Sequence, residues 1–409
     1  MERPRLLAVG FGVEPGGFSR VVHSLMSHLS RRFEIHHVAI NYKGPPRQHP
    51  WAIYPNDRRG DSFGVKAVEA IGRKVRPDIV WLYNNPWVLG AYQAAVEPLR
   101  NRAVVIGYVP LDGRIVEPDF LPELAFLDRL VVFNQFARRE IAAGLAKVAG
   151  DPAIADFPAI TVIPHGIDRR SFRPTNRAAR ESARARLRSR LAPGRDGLRD
   201  RFWVLNANAN CPRKRLDLTL EGFAHFAEDK QQHVALALHC ADTIKPDFSI
   251  LERSEELGIR HLLAWEPSRH RRPRASDATL NRIYNASDVG INTSVGEGWG
   301  LVSLEHATTG AAQIVPDHTA CRELWRDAGL LLPIVRVSDN PAFLIDAQIV
   351  SPDDVAQALQ VLFEDHPLRR KRGEAARAVA ARPEYQWRHV AERWARLFDA
   401  CLDGRRSPG

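Results

Sequence analysis

Residues 295–310, VGEGWGLVSLEHATTG, combine closely spaced glycines, two carboxylates and an apolar run. The glycines let the backbone approach a bound group closely, and the apolar run predicts a helix that begins near Leu301 and ends at Gly310. A helix N-terminus with bare amides attracts phosphate. Glu297 precedes this helix and Glu305 lies in it, so both carboxylates are placed to accept hydrogen bonds from ligand hydroxyls near a phosphate.

The segment EGWGLVSLE within this stretch resembles the Glu-x7-Glu signature of retaining glycosyltransferases of family 4. The resemblance implies a GT-B fold, in which two doubly wound, Rossmann-like α/β domains face a central cleft. It also implies that Glu297 contacts the donor sugar and Glu305 the nucleotide ribose. The intervening residues expected on the substrate are Gly298, Trp299, Gly300 and Leu301. The alternative is an ordinary strand-loop-helix crossover with two solvated glutamates.

The composition of the 409-residue chain is that of a globular protein, with 44% hydrophobic and 26% charged residues. Its net charge of +10 suits an anionic substrate, an anionic membrane surface or nucleic acid. The densest basic segment, SRHRRPR over 268–274, has no interleaved aromatic residues, so we expect no nucleic-acid partner. The four cysteines are far apart, and no apolar run is long enough to cross a bilayer, which predicts a cytoplasmic protein.

Alternating strand and helix patterns occur in both halves of the chain. In the first half, strand patterns such as Leu6–Val9 and Asp78–Tyr83 alternate with helical patterns such as Phe18–Ser30. A second series begins with the strand pattern Phe202–Asn206. Strands that alternate with helices predict a doubly wound parallel sheet in each half.

The segments PDIVWLYNNPW, DRLVVFNQFARREI and TVIPHGIDRRSFRP resemble family 4 members in order and spacing. They predict an N-terminal, acceptor-side domain over 1–174. A linker helix then opens a nucleotide-sugar-binding domain over 175–384. The amphipathic pattern of 385–409 resembles the terminal helix with which family members cross back to the N-terminal domain. The alternative is a local capping helix.

Basic residues follow the first strand pattern of the second domain, in NANANCPRKRLD over 206–217. Cations between a strand and a helix stabilise a diphosphate and the charge that develops on it when a glycosidic bond breaks. Lys214 aligns with the lysine of the family's Lys-Gly-x-Asp segment, and Arg215 replaces its glycine. Ala209 stands where the family has an arginine, so Arg213 is expected to supply the second cation. These cations replace a metal at the diphosphate, so we expect no metal and no cofactor; the alternative is three solvated bases at a helix start.

The N-terminal domain offers two further candidate sites. Gly16 and Gly17 correspond to the glycine pair that the resembled family places by the donor diphosphate. Many family members have a histidine in the region where this chain has Asp112, which either orients or deprotonates an acceptor hydroxyl or is a turn residue. His165 and His318 are lone histidines, and such residues are more often structural than catalytic.

Together these features predict a glycosyltransferase, with a hexosyl group as the expected cargo, that uses a UDP- or GDP-sugar and an unknown hydroxyl acceptor. Front-face displacement with retention is expected, with Arg213 and Lys214 on the leaving diphosphate and with Glu297 and Asp112 as the other catalytic candidates. The alternatives are an epimerase or hydrolase of nucleotide sugars on the same fold and a non-catalytic sugar-nucleotide-binding protein. Peripheral contact with the inner face of an anionic membrane is a further alternative.

Overall fold

The computed structural model describes residues 3–12, 16–44, 50–56, 60–188, 201–241, 248–265, 275–340 and 344–406. Contacts within the chain divide it into two compact units, which are described separately. The first unit comprises Met1–Gly166 and Pro383–Gly409, and the second comprises Ile167–Arg382.

The segment between 167 and 174 belongs to the second unit, whereas the sequence pattern places the domain boundary after Pro174. Two amides of the second unit hold this segment. The Asn281 side chain accepts from the Arg173 amide at 3.0 Å, and the Asn285 side chain donates to the Arg173 carbonyl at 2.9 Å.

Within the described residues, the first unit contains a seven-stranded parallel sheet with the strand order β3-β2-β1-β4-β5-β6-β7. Its central strands are buried along their whole length, as expected of a parallel sheet covered on both faces. The strands are β1 (Arg5–Phe11), β2 (Glu34–Ile40), β3 (Ala52–Pro55), β4 (Ile79–Tyr83), β5 (Val104–Val109), β6 (Arg129–Val132) and β7 (Ile160–Val162). The helices of its N-terminal part are α1 (Gly17–Leu29), α2 (Val65–Val75), α3 (Pro86–Leu89), α4 (Gln93–Val96) and α5 (Gln135–Lys147).

The second unit contains, in its described part, a six-stranded parallel sheet with the order β10-β9-β8-β11-β12-β13 and a separate antiparallel hairpin. The sheet strands are β8 (Phe202–Asn206), β9 (Val234–Leu238), β10 (Leu263–Ala264), β11 (Val289–Ile291), β12 (Ala312–Pro316) and β13 (Leu330–Leu332), and the hairpin strands are β14 (Ile334–Asn340) and β15 (Ile345–Val350). The helices are α6 (Arg177–Arg188), α7 (Leu216–Ala227), α8 (Ile250–Glu256), α9 (Asp277–Ala286), α10 (Leu301–Ala307), α11 (Thr319–Trp325), α12 (Pro352–Glu364) and α13 (His366–Ala381).

The register of this second sheet brings three strand ends together. Strand β11 pairs with β8 on one side and with β12 on the other, with Val289 opposite both Val204 and Ala312. Because the three strands are parallel, the loops that leave their carboxyl ends lie side by side. Ligands of open parallel sheets bind at such an edge.

The hairpin of β14 and β15 was not predicted from the sequence. Strand β15 is buried throughout, and the Gln348 amide donates to the Val295 carbonyl at 2.9 Å. The hairpin therefore braces the first residue of the stretch VGEGWGLVSLEHATTG.

The last helix, α14 (Trp387–Arg406), packs on the first unit. Trp394 is fully buried, and its ring lies 4.9 Å from that of Tyr108 and 5.7 Å from that of Trp81, both edge to face. The Arg393 guanidinium donates to the Val162 carbonyl on β7. The helix thus completes the core of the first unit although it follows the whole second unit in sequence.

No helix among the described residues is both long and apolar enough to span a bilayer. The basic segment 268–274 lies outside the described residues.

Candidate active site

The loop that follows β8 presents the two predicted cations. Residues Pro212–Lys214 form a 3-10 turn, and Arg215 then adopts a left-handed conformation with φ 45°. The Thr293 hydroxyl, in the loop after β11, lies 3.2 Å from the Lys214 carbonyl oxygen and 2.8 Å from that of Arg215. Two neighbouring loops are thereby joined, and the backbone that carries Lys214 is held in place.

Glu297 receives both cations on its carboxylate. The Lys214 ammonium donates to Oε1, and the Arg213 guanidinium lies 3.3 Å from Oε2. The Asn292 amide, at the carboxyl end of β11, also donates to Oε1 at 3.1 Å. Lys214 and Glu297 are both buried, so this ion pair is largely removed from water.

The electrostatic state of Glu297 follows from these partners. Burial raises the pKa of its carboxyl group, but the charges of Lys214 and Arg213 and the hydrogen bonds from Lys214 and Asn292 outweigh burial and lower the pKa to about 2. Glu297 is therefore ionised at neutral pH. Two cations against one carboxylate leave the cluster net positive, which suits a diphosphate.

The backbone of Glu297 is held by the loop that follows β12. The Glu297 amide lies 3.3 Å from the Thr319 hydroxyl oxygen, and the Thr319 hydroxyl donates to the Glu297 carbonyl at 2.9 Å. The Ala320 amide donates to the same carbonyl at 3.3 Å. Thr319 has φ 45°, which is unusual for a β-branched residue. The three loops after β8, β11 and β12 thus converge on one glutamate.

The second glutamate of the motif has different surroundings. Glu305 lies on α10, is as buried as Glu297, and accepts a hydrogen bond from the Tyr284 hydroxyl at 2.9 Å. Tyr284 stacks on His306 with ring centroids 5.3 Å apart. Burial lowers the pKa of His306 to about 3, so this histidine is neutral at neutral pH. Glu305 thus accepts a hydrogen bond from a hydroxyl, whereas Glu297 accepts from two cations.

The glycine-rich turn leads into the motif helix as the sequence predicts. Gly300 caps α10 with φ 88° and ψ 53°, a conformation that favours glycine. Leu301 opens the helix and Trp299 is buried. The helix itself ends at Ala307, earlier than Gly310, because the chain tightens there into turns with hydrogen bonds from 308 to 305, 309 to 306 and 310 to 307.

The candidates of the first unit lie at the carboxyl ends of β1 and β5. Gly16 precedes α1 and Gly17 begins it, whereas residues 13–15 of the glycine-rich segment lie outside the described residues. Asp112 lies in the loop after β5, and its charge raises the pKa of the Tyr83 hydroxyl, although burial raises that pKa more.

Three residues of the site were not assigned a role from the sequence: Asn292, His318 and Thr319. A polar residue directly after a buried parallel strand is a usable signal, and Asn292 carries it. The left-handed conformation of Thr319 has no sequence signal, because threonine rarely adopts it. Among the described residues, no group of three or more His, Cys, Asp and Glu side chains is arranged to hold a metal ion.

This chain is similar in sequence to proteins that are named glycosyltransferases. No protein-family model matches the chain. D-inositol 3-phosphate glycosyltransferase of Nocardia farcinica is 27% identical over 331 residues, which cover 79% of this chain and 64% of that protein. The protein of the same name from Corynebacterium jeikeium is 26% identical over 325 residues, covering 78% of this chain and 67% of that protein. The chain therefore spans about two-thirds of the length of these relatives.

Solved structures establish the fold. Sucrose-phosphate synthase from Thermosynechococcus elongatus superposes with a TM-score of 0.72 at 16% identity, covering 98% of this chain and 100% of that one. Anabaena HepE in complex with UDP-glucose superposes with a TM-score of 0.70 at 15% identity, covering 97% of this chain and 99% of that one. The chain has the GT-B fold. The fold predicted from EGWGLVSLE is thereby confirmed, and the chain is similar to glycosyltransferases over most of its length.

Proposed function

We propose that this GT-B protein is a retaining, nucleotide-sugar-dependent glycosyltransferase of family 4 that acts on a hydroxyl acceptor. The observation that carries the proposal is the cluster of the partly exposed Arg213 with the buried Lys214 and Glu297 at the carboxyl edge of the second sheet. The similarity to named glycosyltransferases supports the same activity.

The cluster is suited to hold the diphosphate of a donor. Ordering a free lysine side chain costs up to about 2 kcal/mol of conformational entropy, and the pairing of Lys214 with Glu297 removes most of that cost before the donor binds. An ammonium group has three donors, so Lys214 keeps Glu297 as a partner while it contacts a phosphate oxygen. With Arg213 as the second cation, we propose that the diphosphate needs no metal ion.

The ionised state of the Glu297 carboxylate favours a front-face displacement. A carboxylate whose pKa is about 2 is a poor general base at neutral pH, so the acceptor proton passes to an oxygen of the leaving diphosphate. The acceptor oxygen bonds to the anomeric carbon as the bond to the diphosphate breaks on the same face. Arg213 and Lys214 stabilise the charge that develops on the diphosphate. Glu297 positions the sugar by accepting hydrogen bonds from its hydroxyls.

We assign the remaining substrate contacts to the other candidate residues of the two units. Glu305 accepts from the ribose hydroxyls, and Gly298 to Leu301 line the sugar. Gly16 and Gly17 approach the diphosphate, and Asp112 orients the acceptor. HepE was solved with UDP and with UDP-glucose, which makes a uridine nucleotide the first donor to test, with a guanosine nucleotide as the second.

A nucleotide panel followed by product analysis tests the proposal. We expect one nucleoside diphosphate among those of uridine, guanosine and adenosine to raise the melting temperature, and the matching sugar nucleotide to be turned over only with an acceptor. Proton NMR of the first product from an α-linked donor should show an α linkage, with turnover unchanged by a chelator. A β-linked product contradicts retention. Epimerisation without acceptor indicates an epimerase, and binding without turnover of any donor indicates a non-catalytic protein.

A further inference from the structure

His318 connects two parts of the loop that carries Glu297. It is buried between β12 and α11. Its Nε2 atom lies 2.8 Å from the Ser294 carbonyl oxygen, and its Nδ1 atom lies 2.9 Å from the Thr319 hydroxyl oxygen. That hydroxyl oxygen lies 2.9 Å from the Glu297 carbonyl oxygen. The three contacts form a continuous chain from Ser294 to Glu297.

These three contacts require three protons. A neutral imidazole supplies one proton and the Thr319 hydroxyl supplies one. Because the Ser294 carbonyl only accepts, the single proton of a neutral ring lies on Nε2, and Nδ1 becomes an acceptor. The Thr319 hydroxyl then has one proton for two acceptors, His318 Nδ1 and the Glu297 carbonyl oxygen. An imidazolium resolves the conflict, since Nδ1 donates to Thr319 and Thr319 donates to Glu297.

The conformation of Thr319 indicates that this geometry has a function. A left-handed backbone costs an L-residue roughly 1–2 kcal/mol, and such strain persists only where surrounding contacts enforce it. Here those contacts are the hydrogen bonds of Thr319 to the backbone of Glu297. The strained residue thus holds the glutamate whose carboxylate holds Arg213 and Lys214.

We propose that His318 is a positioning residue of the donor site, that it acts through the Thr319 hydroxyl, and that it takes up a proton when a nucleotide sugar binds at Arg213 and Lys214. The inference rests on the proposed function, because the donor diphosphate is the negative charge that drives the proton uptake.

The charges around His318 determine whether donor binding raises or lowers the pKa of its ring. Burial lowers the pKa of the ring, and the Ser294 carbonyl together with the carboxylates of Glu297 and Asp346 offsets this only in part. The ring is therefore neutral at neutral pH before the donor binds. Arg213 and Lys214 pair with Glu297 in that state and oppose its field. A diphosphate that binds these cations adds negative charge beside the ring and raises its pKa, so binding strengthens as pH falls.

Calorimetry in buffers of different ionisation enthalpy measures this proton. UDP-glucose and GDP-mannose are the probes, because neither carries a group that titrates near neutral pH. For the one that binds, comparison of Pipes with Tris between pH 6 and 7 should show uptake of about half a proton or more per site. The affinity should fall about 3- to 10-fold between pH 6 and pH 8.

Matched variants assign the proton to His318. His318→Gln should abolish the uptake and make the affinity independent of pH, whereas His225→Gln on the exposed face of α7 should leave both unchanged. Thr319→Val should lower kcat/KM about 10-fold at pH 6.5, and Thr319→Ser, which keeps the hydroxyl, should restore it. If His318→Gln does not fold, the buffer comparison on the wild-type protein still tests the proton uptake, and the two Thr319 variants still test the path through the hydroxyl.

Each remaining outcome overturns a distinct statement. Binding of a probe without proton uptake, or uptake that persists in His318→Gln, removes the role of His318 and leaves the proposed function intact. Equal activity of Thr319→Val and Thr319→Ser removes the path through the hydroxyl. Failure of the uridine, guanosine and adenosine diphosphates and of their sugar nucleotides to bind overturns the proposed function itself.

Discussion

The two parallel sheets of this protein bury polar groups at their carboxyl ends in opposite ways. In the first unit, the Tyr108 hydroxyl lies 2.8 Å from His165 Nδ1 and 3.0 Å from the Ile163 carbonyl oxygen, and α14 covers the cluster with Trp394. In the second unit, the corresponding edge holds Lys214 and Glu297 as a buried ion pair.

The difference is visible in how burial acts on each titratable group. Burial lowers the pKa of His165 to about 3, so the first cluster is neutral at neutral pH. Burial raises the pKa of Glu297, yet the neighbouring cations reverse that effect and keep it ionised. A neutral cluster contributes to stability and offers little to an anion. A compensated ionic cluster contributes less to stability, and it is preorganised for a charged ligand.

The largest expected effect is on the stability of the first unit. Trp394→Ala removes a fully buried indole from between Trp81 and Tyr108, and we expect a loss of about 3–5 kcal/mol. Trp87→Ala, at a partly buried tryptophan of the same unit, should cost less. Hydrogen exchange followed by mass spectrometry should show faster exchange in β4 and β5 and little change in β8 and β11. Equal acceleration in both sheets would contradict the assignment of α14 to the core of the first unit.

The next effect is on activity. Lys214→Ala should raise the barrier to transfer by about 2–4 kcal/mol, because one preorganised cation on the leaving diphosphate is lost. Lys371→Ala on α13 is the matched control, since that lysine is exposed in the same unit. Initial rates at saturating donor measure the difference. If Lys371→Ala is impaired to the same extent, the diphosphate does not bind at the Lys214 cluster.

Acidification should weaken the first unit through His165. Its folded-state pKa of about 3 lies below the unfolded value, so the unfolded state binds a proton first and stability falls as pH drops below about 6.5. At pH 5 this amounts to about 2 kcal/mol. His165→Gln should flatten the dependence between pH 7 and pH 5 for exchange in β4 and β5. His306→Gln should reduce the dependence in the second unit instead, because burial lowers the pKa of His306 to about 3; His318, whose pKa burial also lowers, keeps the remaining part. A slope that survives in β4 and β5 of His165→Gln assigns the acid sensitivity to another group.

The smallest effect concerns Arg215, which occupies a left-handed position where the resembled family has glycine. Arg215→Gly relieves the backbone strain but loses the partly exposed ion pair with Asp217, whereas Arg215→Ala loses the ion pair and keeps the strain. We therefore expect Arg215→Gly to be about 1 kcal/mol more stable than Arg215→Ala. The same pair of substitutions at Arg76, left-handed at the end of α2, should give a similar difference. Both differences are read from urea unfolding, and an activity change at Arg215 but not at Arg76 would show that the strain supports the donor site.

Local sequence patterns predicted many strands and helices of the two parallel sheets and the glycine-rich turn of this protein, but not the β14–β15 hairpin. Strands such as β4 are continuous apolar runs, and α12 begins next to Ser351, whose side chain accepts from the Asp353 amide. The fold class followed from the alternation of these elements and is confirmed by the solved structures. Such features depend on neighbours within a few residues, which is why single-sequence reasoning reaches them.

Only the tertiary structure decided what surrounds each chemical group. Glu297 and Lys214 are 83 positions apart, and their pairing depends on the adjacency of β8 and β11 in the sheet. The contacts of His318, the strained backbone of Thr319 and the bracing of Val295 by the β14–β15 hairpin depend in the same way on packing between distant segments. The sequence by itself therefore determined which residues carry charge at the edge of the second sheet. Their protonation and their mutual orientation are set by burial and by long-range contacts, to which local sequence is insensitive.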